Sequence, residues 1–310
     1  MSKPRFILLC NNRIAIPAII ELGFHGHLAA VIVPEKNKEV RLDLEDLLNP
    51  AGIPLETVNL KTLHATVQRM FEESGAYAGL LMTFPYKLSP EIISIPQKGF
   101  LNFHYGTLPE YRGPEPIFAQ LKNGEEFAGL TIHIVDETID GGPIVMEEKI
   151  RIETGDTYGM LQTKLAYLGA KLSSSLVKVL EFGTSIPSRK QDETKAGYHK
   201  RPCLDDVLIR WEEMDASGIR ALVNACNPWN KGAGTRINRQ MFSILEAEIR
   251  EEETARNITP GTIVSLNSGE LLIATKDNKL LNARIVYSPE GFMSGDRLAH
   301  FGIKAGDRFF

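Results

Sequence analysis

Cysteine is scarce in this sequence: Cys10, Cys203 and Cys226 are the three among 310 residues. An odd, scattered set without C-x-x-C spacing excludes a disulfide framework and a thiolate zinc site, and points to a reducing, cytoplasmic setting. No apolar run approaches the roughly twenty residues that span a bilayer. The apolar run after Met1-Ser-Lys-Pro-Arg5 is too short for a secretory signal. No G-x-G-x-x-G follows the first predicted strand and no G-x-x-x-x-G-K-[ST] occurs, which argues against NAD, FAD and P-loop chemistry. Positive charge is not in excess either. A formal charge of −4 gives no general attraction to nucleic acid or anionic membrane, although it leaves room for a local basic patch. Internal repeats and low-complexity tracts are missing as well.

What is present is the composition of a soluble globular protein, with 43% hydrophobic and 24% charged residues. Arg5 to Cys10 and Leu28 to Val33 are short, continuous apolar runs of the kind that form buried parallel strands. Gly79 to Met82 begins another such strand, and Pro54 to Val58 a shorter one. Helical patterns separate them, over Ile14–Leu22, Leu42–Leu48 and Leu63–Ser74. Alternation of this kind predicts an α/β, Rossmann-like, mostly parallel sheet with helices on both faces. From Asp156 to Phe182 the leucines at 161, 165, 168, 172, 176 and 180 predict one long helix, with Thr154 or Asp156 as its cap. Thr184 to Leu204 is poor in large apolar residues and reads as a linker. Beyond it, short β-like runs at Phe242–Glu246, Gly261–Ser265, Leu271–Ala274 and Leu281–Val286 predict a small OB-like barrel. The expected division is a catalytic domain over 1–184, a linker over 185–204 and a C-terminal domain over 205–310.

Gly99 to Val145 holds the chemistry. Asn102 and His104 alternate with Leu101 and Phe103, so in a strand both polar side chains point to one side. Open parallel sheets bind ligands at the carboxyl ends of their strands. An Asn amide donates to a carbonyl oxygen that becomes negative, a His moves a proton, and Asp140, on a polar turn, can orient that His and raise its pKa. No serine or cysteine nucleophile accompanies them: Cys10 reads as core, and Cys203 and Cys226 lie in or beyond the linker. The set suits direct transfer of an activated acyl group to an amine. Each residue taken singly also fits a turn-capping role; the three together with their flanks favour the site.

The residues Asn102-Phe-His104-Tyr-Gly-Thr-Leu108-Pro109-Glu-Tyr111-Arg112-Gly113, Gly129-Leu-Thr131-Ile-His133 and Val135-Asp136-x-x-x-Asp140-x-Gly142-Pro143-Ile144 resemble the motifs of the folate-dependent formyltransferases. In the tail, Asn227-Pro228-Trp229 and Pro260-Gly261-Thr262-Ile263 resemble the C-terminal domain of the members acting on tRNA. The resemblance covers essentially the whole chain. It implies transfer of a formyl group from 10-formyltetrahydrofolate, without a metal, to a primary amine. Asn102 would polarise the formyl oxygen, and His104, oriented by Asp140, would serve the tetrahedral intermediate. It also implies a folate site along Met82, Phe84, Tyr86, Leu88, Val135 and Asp136. On the acceptor side it implies Tyr105, Thr107, Leu108, Pro109 and Arg112.

Three departures stand out. The hydroxyl of the family's Ser-Leu-Leu-Pro is displaced to Thr107, and Tyr105 replaces a small residue. The first turn runs Asn11-Asn12-Arg13-Ile14-Ala15 where the tRNA enzymes have Gly-Thr-Pro-Glu-Phe-Ala. The basic loop of those enzymes is reduced to Pro34-Glu-Lys-Asn-Lys-Glu39-Val-Arg41, which removes phosphate contacts. Initiator methionyl-tRNA is the expected acceptor because the C-terminal domain is retained. A nucleotide-linked amino sugar or another biosynthetic amine is the alternative, and hydrolysis of the folate by water a second one. In the tail, Lys231, Arg236, Arg239 and Trp229 are candidate nucleic-acid contacts set against the acidic run Glu246–Glu253; the alternative is a packing or oligomerisation domain, and Trp229 reads as an anchor between domains rather than a base-stacking platform.

Overall fold

The computed structural model describes residues 3–182, 185–267 and 269–310. Strands β1 (Phe6–Cys10), β2 (Leu28–Pro34), β3 (Leu55–Val58), β4 (Ala78–Met82), β5 (Phe100–His104), β6 (Phe127–Ile134) and β7 (Ile144–Arg151) form one seven-stranded sheet. Its order is β3-β2-β1-β4-β5-β6-β7. The pairs from β3 to β5 are parallel, and β6 runs antiparallel to β5. Every residue of β1, β2 and β4 is buried, which is why their sequences read as unbroken apolar runs rather than alternating ones. Gly79 lets the sheet close at the start of β5: a methyl there would lie 2.1 Å from the ring of fully buried Phe100.

The accompanying helices are α1 (Ile16–Phe24), α2 (Lys38–Leu48), α3 (Leu63–Ser74), α4 (Pro90–Ile93), α5 (Pro116–Lys122) and α6 (Tyr158–Phe182). Helix α2 starts earlier than its apolar pattern suggests. The Asn37 side chain accepts from the Val40 N–H at 3.3 Å and caps it. The shortened basic segment after β2 is therefore partly helix. In α6 the leucine row is buried throughout. Its first turn is closed by Thr157, whose hydroxyl accepts from the Met160 N–H at 3.3 Å. Neither Thr154 nor Asp156 is that cap; Asp156 instead accepts from the Glu153 N–H at 2.8 Å.

Two compact units emerge. The first comprises residues up to 116, 128–150 and 162–199, and the second comprises 117–127, 151–161 and 200–310. Residues 189–199, within the segment that reads as a linker, belong to the first unit, where Arg189 bridges to Ile144 and Tyr198 to Arg112. The second unit carries α7 (Ala216–Cys226) and the strands β8 (Ala233–Ile237), β9 (Gln240–Thr254), β10 (Ile263–Asn267), β11 (Glu270–Ala274), β12 (Lys279–Ser288) and β13 (Gly291–Ser294). They form an antiparallel sheet in the order β10-β11-β12-β9-β8, with β13 on β12. Residues 308–310 tie its two edges together. Phe310 exchanges both backbone hydrogen bonds with Arg236 next to the end of β8, and the Phe309 N–H donates to Gly261 just before β10. Among the described residues no helix is long and apolar enough to cross a membrane.

Candidate active site

Asn102 and His104 project from one face at the end of β5, as their spacing requires. The antiparallel register with β6 sets His133 opposite Asn102 and Thr131 opposite His104. Asp140 enters from the turn between β6 and β7 with a φ of +54°. That left-handed conformation costs a side-chain-bearing residue on the order of 1 kcal/mol, with Asp among the more tolerant.

Three side chains, Asn102, His104 and His133, converge on the Asp140 carboxylate. Its Oδ1 lies 3.6 Å from His104 Nδ1 and 3.6 Å from His133 Nε2. Asn102 Nδ2 donates to Oδ1 at 3.3 Å and lies 3.0 Å from His133 Nε2. The Gly113 N–H donates to Oδ2 at 2.9 Å. Backbone carbonyls fix both imidazole tautomers, because a carbonyl only accepts. His104 Nε2 lies 2.6 Å from the Tyr111 oxygen and so carries hydrogen, which leaves Nδ1 as the nitrogen facing Asp140. His133 Nδ1 lies 3.0 Å from the Ile134 oxygen and carries hydrogen, so Nε2 accepts from the Asn102 amide.

Electrostatics divides the charge accordingly. Burial disfavours the charged form of His104 and lowers its pKa from 6.5, although the Asp140 charge and the Tyr111 carbonyl pull the other way. Burial alone would raise the Asp140 carboxyl; the charge His104 takes on when protonated in acid, the neighbouring His133 ring and the hydrogen bond from the Gly113 N–H overcome it and hold the group at about 2. The resting site is a neutral imidazole beside an ionised carboxylate. Among the described residues no group of three or more His, Cys, Asp or Glu side chains is placed to hold a metal ion.

His133 is the member that the candidate list drawn from sequence omits. Its signal was the alternation Gly129, Thr131, His133, which places all three on one face of β6. Thr131 donates to the Gly106 oxygen at 2.8 Å and accepts from the Leu108 N–H at 3.3 Å, pinning the loop after β5. Gly129 makes room for that loop: a methyl on it would meet Thr107 Cγ2 at 2.4 Å.

The candidate folate residues fall into groups. Phe84, Tyr86, Leu88 and Val135 share one apolar cluster with Leu81, Ile92 and Phe100. Met82 is buried in β4 between Cys10 and Phe103. Asp136 accepts from the Thr138 N–H at 2.9 Å. The acceptor-side candidates Tyr105, Thr107, Leu108, Pro109 and Arg112 are all buried. Arg112 donates to both carboxylate oxygens of Glu193, at 2.6 and 3.0 Å, and to Gln191. In the second unit, Trp229 donates to the Ala225 oxygen at 2.7 Å and packs edge-on against Phe118.

The sequence matches the formyl transferase family over residues 17–177 and that family's C-terminal domain over residues 204–294. It is 35% identical over 221 residues to the methionyl-tRNA formyltransferase of Caldicellulosiruptor saccharolyticus, covering 71% of this chain and 70% of that one. To the methionyl-tRNA formyltransferase of Pelotomaculum thermopropionicum it is 29% identical over 280 residues, covering 87% of each. The fold superposes on an N-formyltransferase from Helicobacter canadensis, solved with folinic acid and dTDP-3-aminofucose, at a TM-score of 0.70 and 17% identity, covering 90% of this chain and 98% of that one. With the family pattern spanning more than half the chain, this protein belongs to the formyl transferase family and is an enzyme of formyl-group transfer.

Proposed function

We propose that this formyltransferase moves the formyl group of 10-formyltetrahydrofolate to the methionyl amino group of initiator methionyl-tRNA, using Asn102, His104 and Asp140. The observation that carries the reading is the single carboxylate shared by two imidazoles and an amide. As the amine attacks the formyl carbon, the carbonyl oxygen takes up negative charge. The Asn102 N–H on its longer, 3.3 Å contact is the one a substrate oxygen replaces. The amine's proton passes to His104 Nδ1, where the imidazolium pairs with Asp140. Collapse of the intermediate breaks the bond to folate N10, which takes a proton as tetrahydrofolate leaves. His133 holds the Asn102 amide by accepting one of its hydrogens.

The acceptor is supported by relatives named for methionyl-tRNA, one of which aligns along 87% of its own length, and by the match to the C-terminal domain of the family. Free, unpaired Cys10, Cys203 and Cys226 accord with a cytoplasmic setting. The test is release of tetrahydrofolate from 10-formyltetrahydrofolate in separate reactions with methionyl-tRNA, nucleotide-linked amino sugars, or no acceptor. Turnover dependent on methionyl-tRNA is expected. Turnover only with a sugar amine, or without any amine, overturns the acceptor and moves the enzyme to sugar modification or folate hydrolysis.

A further inference from the structure

The segment 189–199 lies outside the reacting groups, yet it is bonded to both loops of the site. At one end Arg189 exchanges two backbone hydrogen bonds with Ile144, each 2.8 Å. At the other, the Arg112 N–H donates to the Gly197 oxygen at 2.9 Å, and the His199 N–H to the Arg112 oxygen at 2.9 Å. The His199 ring stacks on Tyr111 with centroids 4.7 Å apart and an 8° tilt. The approach is close enough to require glycine: a methyl on Gly197 would meet the Glu110 oxygen at 2.2 Å. This strap therefore grips the loop whose Tyr111 carbonyl binds His104 and whose Gly113 N–H binds Asp140.

Gln191 joins that loop to the other one. Its Nε2 donates to the Asp140 backbone oxygen at 2.8 Å and to the Gly142 oxygen at 2.7 Å. Its Oε1 accepts from Arg112 Nε at 3.1 Å and Nη2 at 2.8 Å. Both amide hydrogens and the oxygen are thus used across two loops. On the same turn the Tyr198 hydroxyl donates to the Ile139 oxygen at 2.7 Å. The turn held in this way is the one that keeps Asp140 in its left-handed conformation and so aims its carboxylate at His104.

We propose that Gln191 is a positioning residue for Asp140, acting through the two hydrogen bonds it donates to the 140–142 backbone. The inference rests on the formyl-transfer reading of the site. The substitutions Gln191→Glu and Gln191→Met separate its two halves, because Gln191→Glu keeps an acceptor for Arg112 and removes both donors to the turn.

In the full chain, each variant and an Asp192→Ala control, whose side chain accepts from Thr194 within the strap, are measured for kcat, for KM toward 10-formyltetrahydrofolate, and for the 15N titration of the His104 imidazole without substrate. Both Gln191 variants are expected to lose about tenfold or more in kcat with KM nearly unchanged, as a displaced catalytic group does. Gln191→Met should move the His104 titration to lower pH, because the carboxylate that raises it has drifted away; in Gln191→Glu the added charge opposes that shift, so that variant is read first on kcat, and the control should match the parent. Retention of parental kcat in Gln191→Glu overturns the proposal and leaves Gln191 as an anchor for Arg112. If Gln191→Met does not fold, Gln191→Glu still decides. If the parent transfers formyl to no amine, the functional reading fails, while the His104 titration still tests the positioning role.

Discussion

The two sheets place their polar groups on different terms. In the seven-stranded sheet β1, β2 and β4 carry no charged side chain, and all of their residues are buried. Charge appears on the edge strands β3 and β7 and where β5 and β6 end, and at those ends each polar atom has a specific partner. In the antiparallel sheet charges are spread along the strands: Arg284 reaches Glu246 at 3.6 Å and Glu248 at 3.8 Å, and Arg250 reaches Glu270 at 2.7 Å. Those pairs are largely solvated, and such pairs contribute about 0–1 kcal/mol each. A largely buried carboxylate between two imidazoles is sensitive to every neighbour, because low dielectric strengthens its interactions and raises the cost of losing one. Changes at the ends of β5 and β6 should therefore alter chemistry before stability, and changes in the antiparallel sheet should do the reverse.

The most severe break in the first unit is His104→Ala. It removes the proton acceptor, and kcat should fall by about 10³-fold, within the range for a lost general base, with an unchanged circular dichroism spectrum. Retained turnover would remove His104 from the mechanism. The matching break in the second unit is Phe309→Ala. Phe309 is fully buried and stacks on Trp211, with centroids 5.9 Å apart. Its truncation should cost about 3–5 kcal/mol, read as a fall in the denaturation midpoint. Turnover with a small amine below that midpoint should persist. Asp140→Asn is milder, because the Gly113 N–H keeps an oxygen to bind. A loss of about 10²-fold in kcat is expected from the missing charge. The acid limb of the kcat–pH profile should move to lower pH, since the Asp140 charge raises the His104 pKa. A limb that moves upward would contradict this pairing.

Much of this difference between the sheets was legible in the sequence. Continuous apolar runs identified β1, β2 and β4, and alternation placed Asn102 and His104 on one side. His133 escaped because its role depends on the register of β6 against β5, which local pattern does not encode. The strap 189–199 escaped because it is held by hydrogen bonds rather than apolar burial, so its composition reads as a linker. Arg112, expected on the acceptor side, is buried against Glu193 and Gln191, partners that its own motif does not disclose. In the second unit the acidic run hid the full length of β9, and Ala233-Gly234 hid β8. Gly234 is small because a methyl there would lie 2.7 Å from the Leu208 side chain.

Acid titration of the folded state probes the first unit's polar centre, together with Asp206 of the second unit, which hydrogen bonds from Cys203 also hold at about 2. The Asp140 carboxyl sits at about 2 against an ordinary 3.8, so the unfolded chain binds its proton first as pH falls. Its contribution is complete above pH 3.8 and lost as pH drops through about 2. His104, lowered from 6.5, acts in the same sense: protonation of the unfolded imidazole erodes stability as pH falls below 6.5. Denaturant midpoints should decline from neutral pH downward, and Asp140→Asn should flatten the lower part of that decline.

The smallest expected effect sharpens the contrast from the side of the second unit. Arg236 is exposed on β8, and Arg239 at the tip of the β8–β9 hairpin, where Asn238 and Arg239 both have positive φ. If this surface meets the phosphates of methionyl-tRNA, the pair Arg236→Gln and Arg239→Gln should raise KM for tRNA several-fold. It should also flatten the dependence of log binding on log salt by about 2, the loss expected for two phosphate contacts. Turnover with a small amine should be untouched, because a small amine carries no phosphates for these arginines to meet. An unchanged salt slope would assign these arginines to solvation alone and would place acceptor recognition elsewhere on the chain.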